Sequence, residues 1–178
     1  MMKAIGFLLA ALLLPLGNAK AQEVKTFETE LRIGVTEPVS TWGMERVMGV
    51  QLGLEPRWNL NGGPVDIGAE MYLGVAARQY RDEGDDAERM MSLSAVAHYN
   101  FNLGKTVSPF VGVGLGVADC TQTVGSGGLT NATALVFSPR VGVELWQHLR
   151  LTLDLRLARK EYNTVGLSVG WAIGGGKR

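Results

Sequence analysis

Leu151, Leu153, Leu155 and Leu157 interleave with Arg150, Thr152, Asp154 and Arg156. That strict period of two is the mark of a strand whose faces meet different surroundings. The same alternation recurs from Glu28 to Trp171, and its second face carries glycine and charges of both signs. The first face carries Leu, Val, Ile, Met and aromatic residues. No window holds an apolar stripe at three-to-four spacing for three turns, so helical folds are excluded. A chain of alternating strands with charge on one face and hydrocarbon on the other closes most simply into a small barrel turned outward to lipid.

Eight candidate strands follow from the pattern: Glu28 to Thr36, Arg46 to Trp58, Val65 to Arg78, Arg89 to Phe101, Val107 to Ala118, Ala132 to Leu145, the leucine ladder, and Tyr162 to Ile173. Eight is the smallest number for a closed barrel of this kind. The predicted fold is therefore all-β, an eight-stranded antiparallel up-and-down transmembrane β-barrel. Asn61 to Pro64, Asn102 to Lys105 and Trp146 to His148 read as tight turns, with Asn and Gly supplying positive φ in the first two. Between them lie longer polar links, residues 37–45, 79–88 and 119–131, with a shorter one at 159–161. Short turns at one rim and long loops at the other fit a barrel whose ends both lie on the periplasmic side.

Composition narrows the class further. The chain is 46% hydrophobic and 19% charged with 24 glycines, and its mean hydropathy is +0.10. That is too polar for a bundle of membrane helices and glycine-rich for an ordinary soluble domain. The 17 basic and 17 acidic groups cancel, so no nucleic-acid-binding face is implied, and one cysteine builds no disulfide framework.

Residues 1–21 have the three parts of a secretory signal: Lys3, an apolar stretch from Ala4 to Leu16, and the small-x-small site Ala19-Lys20-Ala21. The stretch is short for a spanning helix, which takes about 20 apolar residues. Cleavage would leave residues 22–178 as the barrel domain, starting at Gln22. Loss of Lys3 and Lys20 takes the 17 basic groups to 15 against 17 acidic ones.

Which face meets lipid is the decisive question, because a soluble lipocalin-like barrel would show the same alternation reversed. Three features favour the lipid-facing version. The polar face balances Glu30, Glu55, Asp66, Glu70, Glu144 and Asp154 against Arg32, Arg57, Arg78, Arg140, Arg150 and Arg156. Nearly all its bases are Arg, whose planar fork pairs with carboxylates in crowded interiors. Glycine concentrates on that same face, where a narrow lumen has least room. Finally, Trp58, Tyr99, Phe101 and Trp171 sit near the short-turn end of the apolar face, as an interfacial girdle would.

The chain thereby resembles the small single-domain outer-membrane barrels of the OmpA/OmpX type. The resemblance runs from Glu28 to Trp171 and is carried best by Pro109-Phe110-Val111-Gly112-Val113-Gly114-Leu115-Gly116 and by Gly166-Leu167-Ser168-Val169-Gly170-Trp171. It implies a monomer in the Gram-negative outer membrane, surrounded by its lipids and assembled by the barrel assembly machinery. Thr164, Gly166, Val169 and Trp171 fit the last-strand signal that machinery reads, although residues 172–178 overhang it.

The sequence offers no catalytic constellation. A lipid-modifying barrel enzyme needs an activated nucleophile. Only His98 and His148 are available as bases, and Ser92, Ser94 and Ser108 lie in no G-x-S-x-G elbow. His98 reads as a lumen residue beside a carboxylate. The acidic run Arg81 to Asp86 lacks EF-hand spacing and reads as a solvated loop, and Gly125 to Gly128 as a loop rather than a phosphate cradle. Cys120 reads as a free thiol beginning that loop. No enzyme activity, metal or cofactor is expected. The readings in order are a structural or surface-interaction barrel with at most a narrow pore, a soluble periplasmic ligand-binding barrel, and a lipid-modifying enzyme.

Overall fold

A computed structural model describes residues 26–39, 44–46, 48–80, 84–124, 128–159 and 162–174. The proposed leader lies outside them. Nine strands run antiparallel through the described residues: β1 (Phe27–Pro38), β2 (Met44–Arg46), β3 (Gly49–Asn59), β4 (Val65–Tyr80), β5 (Gly84–Asn100), β6 (Val107–Val124), β7 (Gly128–Leu145), β8 (Leu149–Arg156) and β9 (Thr164–Ile173). β2 and β3 both pair with β4, Met44 opposite Tyr80 and Val50 opposite Val75, so together they fill one position in the ring. Every other strand pairs with its sequence neighbour, and β1 pairs with β9 from Thr29–Ile173 to Pro38–Thr164. The result is a closed eight-stranded up-and-down barrel with no helix among the described residues.

Closure removes the lateral edges that an open sheet would expose within the apolar layer. The tight turns are where left-handed backbone was expected: Asn61 has φ 57°, Gly62 73° and Gly104 77°. The third turn uses Trp146 and Gln147 at φ 51° and 62°, a conformation unfavourable for residues with a Cβ. The Gln147 amide compensates by donating to the Gly104 carbonyl at 2.9 Å, tying two neighbouring turns together.

Two expected boundaries move. The link expected at residues 119–131 is mostly strand, because β6 reaches Val124 and β7 starts at Gly128, with pairing continuous from Val107–Leu145 to Val124–Gly128. Likewise β4 and β5 extend to Tyr80 and Gly84. Two adjacent hairpins therefore rise well beyond β8, which is only 8 residues long. Residues 81–83 and 125–127, parts of the two loops that had raised calcium and phosphate readings, lie outside the described residues.

Candidate functional site: the lumen and the outer wall

The alternation sorts the side chains as a lipid solvent requires. Val113 is 47% exposed and Leu135 73%, whereas Glu70 is 0% and Arg57 2%. Apolar side chains face away from the axis on all eight staves, and charged ones fill the lumen. On β6 the outward apolar run goes from Val107 to Val117, and on β7 from Leu135 to Leu145. Each is close to the roughly 9–11 tilted residues that cross a hydrocarbon layer. Above that band the outward positions turn polar, with Arg89, Asp119, Thr121 and Thr133.

Among the described residues, the outward aromatics other than Phe137 gather at the short-turn rim. Phe27 packs on Trp58 with centroids 5.0 Å apart, Tyr99 on Phe101 at 5.2 Å, and Trp171 stacks on His148 at 5.6 Å. Phe27 and the turn residue Trp146 join the four aromatics anticipated from sequence. They were missed because one opens a strand and the other sits in a turn, outside any alternating run.

In the middle of the lumen, six strands deliver one ionic cluster. Glu70 on β4 receives three guanidinium groups. Arg156 grips it through both terminal nitrogens at 3.0 and 2.9 Å, Arg140 donates at 2.8 Å, and Arg32 pairs with it directly. Arg140 also reaches Glu55 at 2.8 Å, so it bridges two carboxylates. Arg156 Nε lies 3.0 Å from Asp154, which Gln51 approaches at 3.4 Å. His98 faces Glu55 at 3.5 Å and fills the space a Cβ on Gly112 would need. Glycine at 112 is thus the condition for a histidine to fit.

A second cluster lies toward the short-turn rim. Arg57 donates to Glu28 at 2.7 Å, Glu30 at 2.9 Å and Glu144 at 3.1 Å, while Arg150 lies 3.3 Å from Glu30. Arg150 also lies over the Phe110 ring, 3.8 Å from its centroid. Asp66 is held differently, by the Asn59 amide at 2.8 Å and the Asn100 amide at 2.7 Å. Asn59 in turn donates to Gly63 in the β3–β4 turn, so Asp66 locks that turn to β5. Asn100→Ala should lower stability by about 2 kcal/mol, the worth of a hydrogen bond to a charged group; urea unfolding in detergent measures it, and an unchanged midpoint would deny Asp66 this role.

Toward the opposite rim the lumen lining becomes mixed, with Glu88, Ser92 and Thr164 buried beside an apolar cluster. Tyr72, Met90, Ala118, Cys120, Val136 and Tyr162 form one buried cluster above the ionic centre, and Arg156 stacks on the Tyr72 ring at 3.5 Å. Cys120 is thus an interior residue of β6 and not a loop thiol. Its surroundings come from several strands, one or two residues each, which left no run to read in the sequence. A maleimide should label Cys120 only after unfolding, a result mass spectrometry shows directly.

The charged residues singled out from the sequence line the lumen, apart from Arg78, whose side chain lies outside the described residues. Glu28 was not anticipated, although its even position beside Glu30 was a usable signal. The serines considered as nucleophiles are buried in the lumen, away from the wall that lipid would touch. His148 sits in the β7–β8 turn with Nδ1 3.1 Å from the Ala172 carbonyl. Among the described residues, no serine, base and carboxylate come together at the outer wall. Nor is there an apolar interior running the length of the barrel such as a lipocalin-like binder requires.

The model of the family described as "Outer membrane protein beta-barrel domain" matches residues 6–172. Curated protein sequences give no match. Among solved structures, Neisserial surface protein A aligns with a TM-score of 0.61 at 15% identity, covering 83% of this chain and 96% of that one. The attachment invasion locus protein Ail of Yersinia pestis, crystallised with the heparin analogue sucrose octasulfate, aligns at 0.57 with 14% identity over 83% and 99%. The outer membrane enzyme PagL aligns at 0.52 with 19% identity over 82% and 98%. At such identities these likenesses speak for the fold.

Proposed function

The chain belongs to the outer membrane protein beta-barrel domain family, and from that premise we propose that it is a monomeric integral barrel of the Gram-negative outer membrane. Its role is structural and in surface interaction. It is exported by a leader cleaved after Ala21 and inserted by the barrel assembly machinery, which reads the end of β9. The observation that carries this reading is the inverted barrel, hydrocarbon outside and an Arg–carboxylate lattice within. Trp58, Tyr99, Phe101 and Trp171 then anchor it at the periplasmic interface.

The lattice and the apolar cluster above it occupy the lumen in series, so solute flow is not its task. A water-filled pore needs an open polar path, and small barrels fill their interior with side chains instead. In planar lipid bilayers the purified protein should give no stepwise conductance, while trimeric-porin-sized steps would overturn the closed lumen. Cell fractionation tests the membrane reading itself. The protein should stay with the outer membrane through salt and carbonate washes, and its gel migration should change on heating. Release into the soluble fraction without detergent would favour the periplasmic binder instead.

The enzymatic reading loses ground on the same geometry. PagL, a neighbour of this fold, is an outer membrane enzyme, but that is a property of PagL. In this chain His98 is enclosed by Glu55, Arg140 and Phe110, and acyl-chain release from labelled lipid should not occur.

A further inference from the structure

Charge is not matched evenly along the lumen. At mid-height Glu55, Glu70 and Asp154 meet Arg32, Arg140 and Arg156, one base for each acid. Toward the short-turn rim the described residues place Glu28, Glu30, Asp66 and Glu144 around only Arg57 and Arg150. Arg57 already serves the three glutamates, and Arg150 divides itself between Glu30 at 3.3 Å and Glu144 at 3.8 Å. Asp66 receives amides alone, from Asn59 and Asn100. Among the described residues Glu144 is held only through Oε2, while Glu28, Glu30 and Asp66 all bear on it with like charge. Enclosed negative charge in excess is costly and calls for a cation.

A second feature of the same place points to a ligand. Ser108 on β6 faces the lumen directly opposite Glu144 on β7, is 2% exposed, and its hydroxyl makes no hydrogen bond. Buried hydroxyls in native proteins are seldom left so. Glu30 Oε1 is enclosed and unbonded as well. The mouth is open to solutes here, since the Glu28 and Glu144 side chains keep 14% and 13% of their surface, against 1% at Glu55 and 0% at Glu70. Among the described residues no three acidic, histidine or cysteine side chains converge as metal ligands do. The charge to be matched is instead spread over β1, β4 and β7. That spread suits a long cation with several charges better than a point ion.

We propose that the short-turn mouth of the lumen binds a linear polyamine, with one terminal ammonium seated between Glu144 Oε1 and Ser108 Oγ. A primary ammonium has three donors and no acceptor, so it satisfies the carboxylate and the hydroxyl together. The remaining ammonium groups answer Glu28 and Asp66, and the methylene stem between them supplies the length without needing polar partners. This site goes beyond the surface role, for it opens at the other rim, toward the periplasm in the topology proposed above.

The test uses the full mature barrel folded in an uncharged detergent, with spermidine as probe, calorimetry for binding and urea unfolding as a second readout. Spermidine should bind saturably and raise the urea midpoint, as a ligand of the folded state alone does. Tetramethylammonium chloride at the same ionic strength has no N–H to donate and should do neither. Glu144→Gln should weaken binding by about tenfold to a hundredfold, and Ser108→Ala, which leaves every charge in place, by about tenfold. Glu144 also holds Arg57, so Ser108→Ala carries the comparison if Glu144→Gln does not fold. Absence of saturable binding would overturn the proposal, as would undiminished binding in either folded variant or an equal effect of tetramethylammonium. Tighter binding of Mg²⁺ than of spermidine would make the mouth a metal site and overturn it too. Binding that appears only when Lys177→Ser and Arg178→Ser are combined would give the mouth to the chain's own basic pair, and would equally overturn it.

Discussion

Glu70→Gln is expected to destabilise the barrel by about 3–5 kcal/mol, the cost of stripping a buried charge cluster of its counter-ion. Glu70 is the one carboxylate on which Arg32, Arg140 and Arg156 converge. Glutamine keeps the volume but turns one oxygen into a donor, so three enclosed cations would face a neutral amide. Arg140→Ala should cost less, about 3 kcal/mol, because Glu55 keeps Arg32 and Arg57, and Glu70 keeps Arg32 and Arg156. Urea unfolding in detergent, followed by the heat-sensitive gel shift, ranks the two variants. Glu70→Gln unfolding at the parent's urea concentration would show that the lattice does not hold the barrel closed.

Val113→Arg is the second large effect, and it asks which solvent the outer wall meets. Val113 lies midway along the outward run from Val107 to Val117, flanked by Ala97 and Pro139 on the adjoining strands. An arginine at the midplane of a membrane barrel costs about 2–4 kcal/mol, falling to about 0–1 near the interface. Val117→Arg, two positions below the outward Asp119, should therefore be tolerated far better than Val113→Arg. On a water-soluble barrel both would be surface substitutions worth a few tenths of a kcal/mol. Equal stability of the two variants in lipid would refute the lipid-facing wall.

The alternation made the strands, their faces and the lumen charges readable in advance, since each lies in an unbroken period of two. Legibility failed where that contrast disappears. Above the lipid band both faces of β6 and β7 meet water or a small mixed cluster, so Asp119-Cys120-Thr121-Gln122 looks like a loop although it is strand. The apolar cluster under the far rim escaped for another reason. Tyr72, Met90, Val136 and Tyr162 lie far apart along the chain, and only barrel closure brings them together. Which carboxylate takes which arginine was also hidden, because Glu70 meets Arg156 from across the lumen and not from a paired strand.

Among the described residues, the far boundary answers the aromatic collar with a single outward ring, Phe137, and with Arg89, Asp119 and a few hydroxyl and amide groups. Bulky indole and phenol rings resist moving out of the headgroup region, whereas short polar side chains give way easily. If bilayer thickness varies, the protein should therefore stay pegged at its inner surface and absorb hydrophobic mismatch at the outer leaflet. The two projecting hairpins would then sit higher or lower against the surrounding saccharide layer as lipid length changes.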